Sequence, residues 1–109
     1  MSRLTAEFWV TAYLARLRLA DIPAFVVARG DATAGAVVVK LNRLDGTAAA
    51  FARSYDATGA RVWTGIADGA DADVEAAIAR QRRFDPDLWV IEVEDRQGRT
   101  LLDEPGLAE

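Results

Sequence analysis

The sequence predicts an α+β fold: a mainly antiparallel sheet, elements in the order α-β-β-β-β-α-β-β, and helices packed mostly on one face. Three observations lead there. Apolar residues recur with a helical period over Thr5 to Ala20 and again over Asp71 to Arg83. Between and after these stretches the period falls to two, as in half-buried strands. The dipeptides Asp45-Gly46 and Thr58-Gly59 then divide the period-two runs at hairpin spacing, so neighbouring strands turn back on each other.

The first helix starts at Thr5, a good N-cap, with Glu7 near its positive end and Arg16 and Arg18 near its negative end. Pro23 stops it. Glu7, Thr11 and Arg18 form a narrow polar stripe, and nearly everything else on the helix is apolar. Such a helix is covered on more than one side, within the fold or by a second subunit. Ala24 to Arg29 reads as a strand, and Gly35 to Leu44, with Val37, Val38 and Val39 at its centre, as a second. Asp45-Gly46 reads as a two-residue turn into Thr47 to Tyr55, and Thr58-Gly59 as a turn into Arg61 to Ile66. Ala67 to Ala70 is expected as a loop, with Asp68 or Asp71 capping the second helix. After Asp85-Pro86, Leu88 to Glu94 is the fifth strand. A turn at Arg96-Gln97-Gly98 leads to a short edge strand, Thr100 to Asp103, and a loose tail over 105–109. Trp9, Trp63 and Trp89 fall on faces assigned to the core.

With 109 residues the chain is expected to form one domain over 1–109. It has no cysteine and no histidine, so zinc fingers, disulfides, thiol nucleophiles and Ser-His-Asp triads are excluded. No metal and no cofactor is expected. A net charge of −4 disfavours nucleic acid as a partner. No apolar run approaches the roughly 20 residues of a membrane span. The start of the chain lacks a signal-peptide pattern, so the expected setting is cytoplasmic.

The chemical motifs mostly read as structure. Gly30-Asp31-Ala32-Thr33-Ala34-Gly35 has the spacing of half a phosphate-binding loop, but Ala36 and a strand follow where Lys and a helix belong. Asp68, Asp71 and Asp73 miss the ligand spacing of a calcium loop. Glu92 and Glu94 alternate with Ile91 and Val93, the pattern of a solvated outer face. Arg80, Arg82 and Arg83 complement the helix dipole and stand near Asp85 and Asp87 for local pairs, with an anion site as the alternative.

Two features are candidates for interaction. Arg16 lies on the apolar side of its helix, where it must pair with a carboxylate, stack on an aromatic ring or contact a ligand. With two-residue turns, Lys40 faces Phe51, and Phe51, Arg53 and Tyr55 share an outer sheet face whose aromatic–arginine composition resembles an interface. The opposite face, with Val37, Val39, Leu41 and small alanines, has room for a helix.

Taken together, Phe8 to Leu14, Arg29 to Val37, Asn42 to Gly46 and Arg83 to Arg96 resemble a family of small alphaproteobacterial proteins of about this length, classed as a domain of unknown function. The resemblance spans essentially the whole chain. It implies a single small domain in a bacterial cytoplasm and carries over no catalytic residue. The expectation for function is a binding or interaction module, a homodimer or a protein-binding domain, through Arg16, Phe51, Arg53 and Tyr55. The alternative is a small enzyme acting on a polar or phosphorylated molecule through Arg and carboxylate groups.

Overall fold

A computed structural model describes residues 4–108. Helix α1 (Ala6–Leu19), strands β1 (Ala24–Ala28), β2 (Val37–Asn42), β3 (Thr47–Tyr55) and β4 (Arg61–Ala70), helix α2 (Asp71–Phe84) and strand β5 (Trp89–Glu94) follow in chain order. They build a five-stranded sheet in the order β1-β5-β2-β3-β4.

The sheet is mixed, not mainly antiparallel. β5 inserts between β1 and β2, antiparallel to the first and parallel to the second. Hairpin signals specify only local pairs such as β2–β3. The place of β5 is set by burial: Trp89, Val90, Ile91 and Val93 are all buried, as befits a central strand covered on both faces.

Both faces are covered because the helices lie on opposite sides, against the expectation of one helix-bearing face. Trp9, Val10, Tyr13 and Leu17 of α1 pack on Val37, Val39, Leu41, Ile91 and Val93. Val74 and Ile78 of α2 pack on Val38, Ala48, Ala50 and Val90. The small alanines do make room for a helix, but the helix is α2.

This difference comes from register. The β2–β3 connection is not a two-residue turn. Leu44 (φ 62°), Asp45 and Gly46 (φ 89°) form a longer loop, closed by the Arg43 N–H donating to the Thr47 carbonyl at 3.2 Å. Val39 therefore faces Phe51 and Val38 faces Ala52. A one-residue slip moves a whole set of side chains to the other face. Phe51 thus joins Val39 on the α1 side. The next loop slips the register in the same way, so Arg53 faces Trp63. β4 then bulges at Ile66, since Phe51 faces Gly65 while Ala50 faces Ala67. It continues through 67–70, where a loop was expected.

α2 begins after Ala70, without a side-chain cap. After β5 the expected edge strand at Thr100–Asp103 is absent; the chain runs in turns across the α1 face. The expected loose tail is docked as far as Ala108, with Leu107 only 2% exposed. Its last residue, Glu109, lies outside the described residues.

Candidate functional site

The docked end of the chain is held by a set of donors on the α1 face of β3 and β4. The Arg53 guanidinium lies 4.5 Å from the ring centre of Trp63 and 5.5 Å from that of Trp9. Stacked arginine keeps its in-plane N–H groups free to donate. Nη2 donates to the Leu107 carbonyl at 3.2 Å and Nη1 to the Ala108 carbonyl at 3.1 Å. The Trp63 indole N–H donates to the same Leu107 carbonyl at 2.9 Å. Below this cradle Trp9 stacks on Tyr13 at 4.8 Å and leans on Trp63 at 5.4 Å. The Tyr13 hydroxyl donates to the Thr100 carbonyl at 2.8 Å, and burial pushes its pKa well above the ordinary phenol value. The Trp9 indole nitrogen is buried with no acceptor among the described residues.

Arg16 takes part from α1. It pairs with Glu104 at 3.0 Å and donates to the Pro105 carbonyl from both terminal nitrogens at 3.3 Å. Of the four residues singled out from sequence, Arg16, Phe51 and Arg53 thus meet around the terminal segment. Phe51 and Arg53 stand on the α1 side of the sheet beneath that segment, not on an open outer face. Tyr55, 58% exposed, lies further along β3 near the end of the sheet. Beside the cradle runs an open groove of about 800 Å³ between Phe51, Arg61 and Trp63 on one wall and residues 98–104 on the other. Sequence reasoning missed the role of Trp63 and Leu107; the only signal was an isolated Leu in the Pro105-Gly106-Leu107 run.

A second charged cluster occupies the α2 face. Lys40, expected beside Phe51, points the opposite way and is 3% exposed. Its ammonium meets Asp71 at 2.7 Å, Glu75, and Glu92 at 3.6 Å. Burial alone would lower its pKa; the hydrogen bonds it donates to Asp71 and Glu75 and the charge of Glu92 outweigh this and hold it above the ordinary lysine value. Glu92, expected in solvent, has a side chain 14% exposed and also accepts from the Asn42 amide at 3.2 Å. Next to it Arg43 grips Asp68 through two bonds of 3.1 and 3.0 Å. Asp68 and Asp71 therefore pair with cations instead of capping α2.

The remaining motifs are structural. A Cβ on Gly30 would lie 2.2 Å from the Asp87 carbonyl oxygen, and one on Gly35 2.6 Å from the same atom. The two glycines let the loop press against the start of β5, where the Trp89 indole donates to the Asp31 carbonyl at 2.7 Å. The same loop caps α1: the Thr33 and Ala32 carbonyls accept from the N–H groups of Ala6 and Glu7. Arg82 and Arg83 line a shallow recess with Pro86, and no pair with Asp85 or Asp87 forms among the described residues. No described helix is long and apolar enough to cross a membrane. No group of three or more Asp or Glu with metal-ligand geometry occurs among the described residues.

These features define a class: a small mixed-sheet α+β protein with one helix per face and an arginine–tryptophan cradle closed by its own chain end. The chain belongs to the family described as Protein of unknown function (DUF1491), which it matches over residues 4–103. It is similar to a DUF1491 family protein from Caulobacter crescentus CB15. That crystal structure superposes with a TM-score of 0.85 at 41% identity, covering 94% of this chain and 98% of the other. An NMR structure of a DUF1491 family protein from Caulobacter crescentus CB15 gives 0.81 at 40% identity, covering 96% and 97%. Protein Atu0922 from A. tumefaciens gives 0.73 at 29% identity, covering 85% and 86%. These sources are alphaproteobacteria, as the sequence resemblance implied. No curated protein matches the chain.

Proposed function

We propose that the protein is a cytoplasmic binding module that recognises a short protein segment, through its main chain, in the cradle formed by Arg16, Arg53 and Trp63. One observation carries this reading. Arg53 and Trp63 direct three N–H donors at the consecutive carbonyls of Leu107 and Ala108 while the Leu107 side chain is buried. In peptide recognition, main-chain hydrogen bonds give affinity and a pocket for a side chain gives specificity. The acidic net charge fits a protein partner better than nucleic acid.

The test uses the full-length Leu107→Asp variant, whose own segment no longer fits the cradle. A labelled peptide copying residues 101–108 should bind it at micromolar to millimolar concentration and should not bind a Leu107→Asp, Arg53→Ala double variant. No binding to either variant removes the reading.

An enzyme acting on a polar or phosphorylated small molecule is the second reading. Arg61, Arg99, Asp103 and Glu104 all line the groove, and the Arg61 side chain has no partner among the described residues. Saturable stabilisation by inorganic phosphate, lost in Arg61→Ala, would support it.

A further inference from the structure

We propose that the segment from Leu101 to Ala108 is exchanged between two copies of the chain, so that each copy's cradle holds the other's segment. The inference rests on the reading of the cradle as a site for a protein segment held by its main chain, and it names that segment's source as a second copy.

Four observations lead to it. First, the segment is neither helix nor strand and joins no sheet ladder. Its described attachments to the body are the Arg16, Arg53 and Trp63 donors acting on its carbonyls, the Arg16–Glu104 pair, and the buried Leu102 and Leu107. All of these sit on the far side of one short connection. Second, its described backbone–backbone hydrogen bonds run within the segment itself, from the Glu104 N–H to the Leu101 carbonyl and from the Leu107 and Ala108 N–H groups to the Glu104 carbonyl, so it can leave as a unit.

Third, the connection has a fixed base and a strained hinge. The Asp95 carboxylate, itself buried, accepts from the Arg99 N–H at 2.7 Å and from its guanidinium at 3.0 and 3.1 Å. That lock ends the body at Arg99. Two residues later Leu101 has φ 61°, in the left-handed region that a side chain disfavours. Returning to the same molecule's cradle requires this turn, and a segment that extends to a second molecule does not.

Fourth, a second copy offers the same donors and the same pocket, so exchange breaks and remakes identical contacts. Domain swapping is a common route to dimers for this reason. Only two factors then set the balance. The tether gives the chain's own segment an effective concentration of about 1 mM, which favours the closed monomer. Release of the left-handed Leu101 favours the open form by roughly tenfold per chain. For two chains the product places the dimer dissociation constant on the order of 10 µM.

Sedimentation equilibrium of the full chain from about 1 µM to 1 mM reads this directly. The expected mass rises from that of one 11.8 kDa chain to twice it. Leu101→Gly removes the strain while leaving the Arg16, Arg53 and Trp63 donors in place, and should weaken the dimer about 100-fold. A mixture of full-length Leu107→Asp (cradle intact) and Arg53→Ala (segment intact) should form a one-to-one heterodimer joined by a single exchanged segment. A monomer at every concentration, with no heterodimer on mixing, overturns the proposal. So does a dimer that Leu101→Gly leaves unchanged, because its interface lies elsewhere. If the free peptide binds Leu107→Asp but no dimer forms, the exchange fails and the cradle reading stands; if neither occurs, both fail.

Discussion

Lys40 on β2 and Asp71 in the first turn of α2 meet at 2.7 Å, and this pair fixes where the second helix lies on the sheet. Glu75 joins one turn later, and Glu92 approaches from the neighbouring strand. The only lysine of the chain thus holds three mutually repelling carboxylates together. Lys40→Met leaves them converging without a cation. Removing one partner of a fully buried pair costs about 3–5 kcal/mol. Asp71 and Glu75 are half exposed, so solvent screening brings the expected loss down to ~2 kcal/mol, read from urea unfolding at pH 7.

The same cluster sets an alkaline limit. The folded state holds the Lys40 proton more tightly than the unfolded state does. Its contribution is therefore complete below the ordinary lysine pKa of about 10.4 and is lost as pH rises through the higher folded value. The urea midpoint should fall above about pH 10 in the parent protein, and less steeply in Lys40→Met.

Asp95 works at the other end of the scale. The Arg99 guanidinium and, against the cost of burial, the Arg99 backbone N–H hold its carboxyl below the usual aspartate value. A depressed carboxylate stabilises the fold above its unfolded pKa of about 3.9, and this is lost as pH falls through the folded value. Asp95→Asn should remove that part of the acid dependence below about pH 4. It should also speed amide exchange at Arg99, whose N–H donates to the carboxylate.

Gly30→Ala tests the reading of the loop before β2 as a packing device. The added methyl would lie 2.2 Å from a backbone carbonyl oxygen, which cannot swing aside as a side-chain tip can. Overpacking of this kind costs about 1–3 kcal/mol. The melting temperature should drop by several degrees with no effect of added phosphate or nucleotide. Protection by either ligand would return the loop to the phosphate-binding class.

Both helices and the first five strands were legible in the sequence; the edge strand expected at Thr100–Asp103 does not form, and β4 runs through the loop expected at 67–70. Thr5 caps α1 and its Oγ1 accepts from Phe8 N–H, and β3 spans Thr47 to Tyr55 as predicted. The faces were not legible. Leu44 adopts φ 62°, a conformation that no leucine advertises, and that one extra loop residue moved Phe51 and Arg53 across the sheet. The parallel pairing of β5 with β2 has no local signal, because it depends on the long path through α2. Pro105-Gly106 reads as the start of a loose end, and nothing adjacent shows that Leu107 fills a pocket. Register and the docking of the chain end are decided by tertiary packing.

The altered register changes what Phe51→Glu does. Phe51 packs against the α1-side core together with Trp63. A carboxylate there is desolvated beside an apolar cluster, so the substitution should cost about 2–4 kcal/mol. Chemical denaturation at low protein concentration, where no dimer contributes, isolates that loss. An unchanged midpoint would return Phe51 to an open surface.

Arg53 is the most specific test of the cradle, because its two roles demand a planar cation. The guanidinium stacks on two indoles and donates from separate nitrogens to two successive carbonyls. An ammonium keeps the charge but cannot stack flat or hold that fork. Arg53→Lys should therefore behave much more like Arg53→Ala than like the parent. A hydrogen bond to a charged group contributes about 1.5–3 kcal/mol, and non-additivity within one side chain keeps the total loss near ~2 kcal/mol. Proteolysis near the C-terminus and fluorescence quenching of Trp63 should rise together in both variants. If Arg53→Lys instead retained parental protection of the segment, charge alone would hold it, and the stacked geometry would have no part in recognising the main chain.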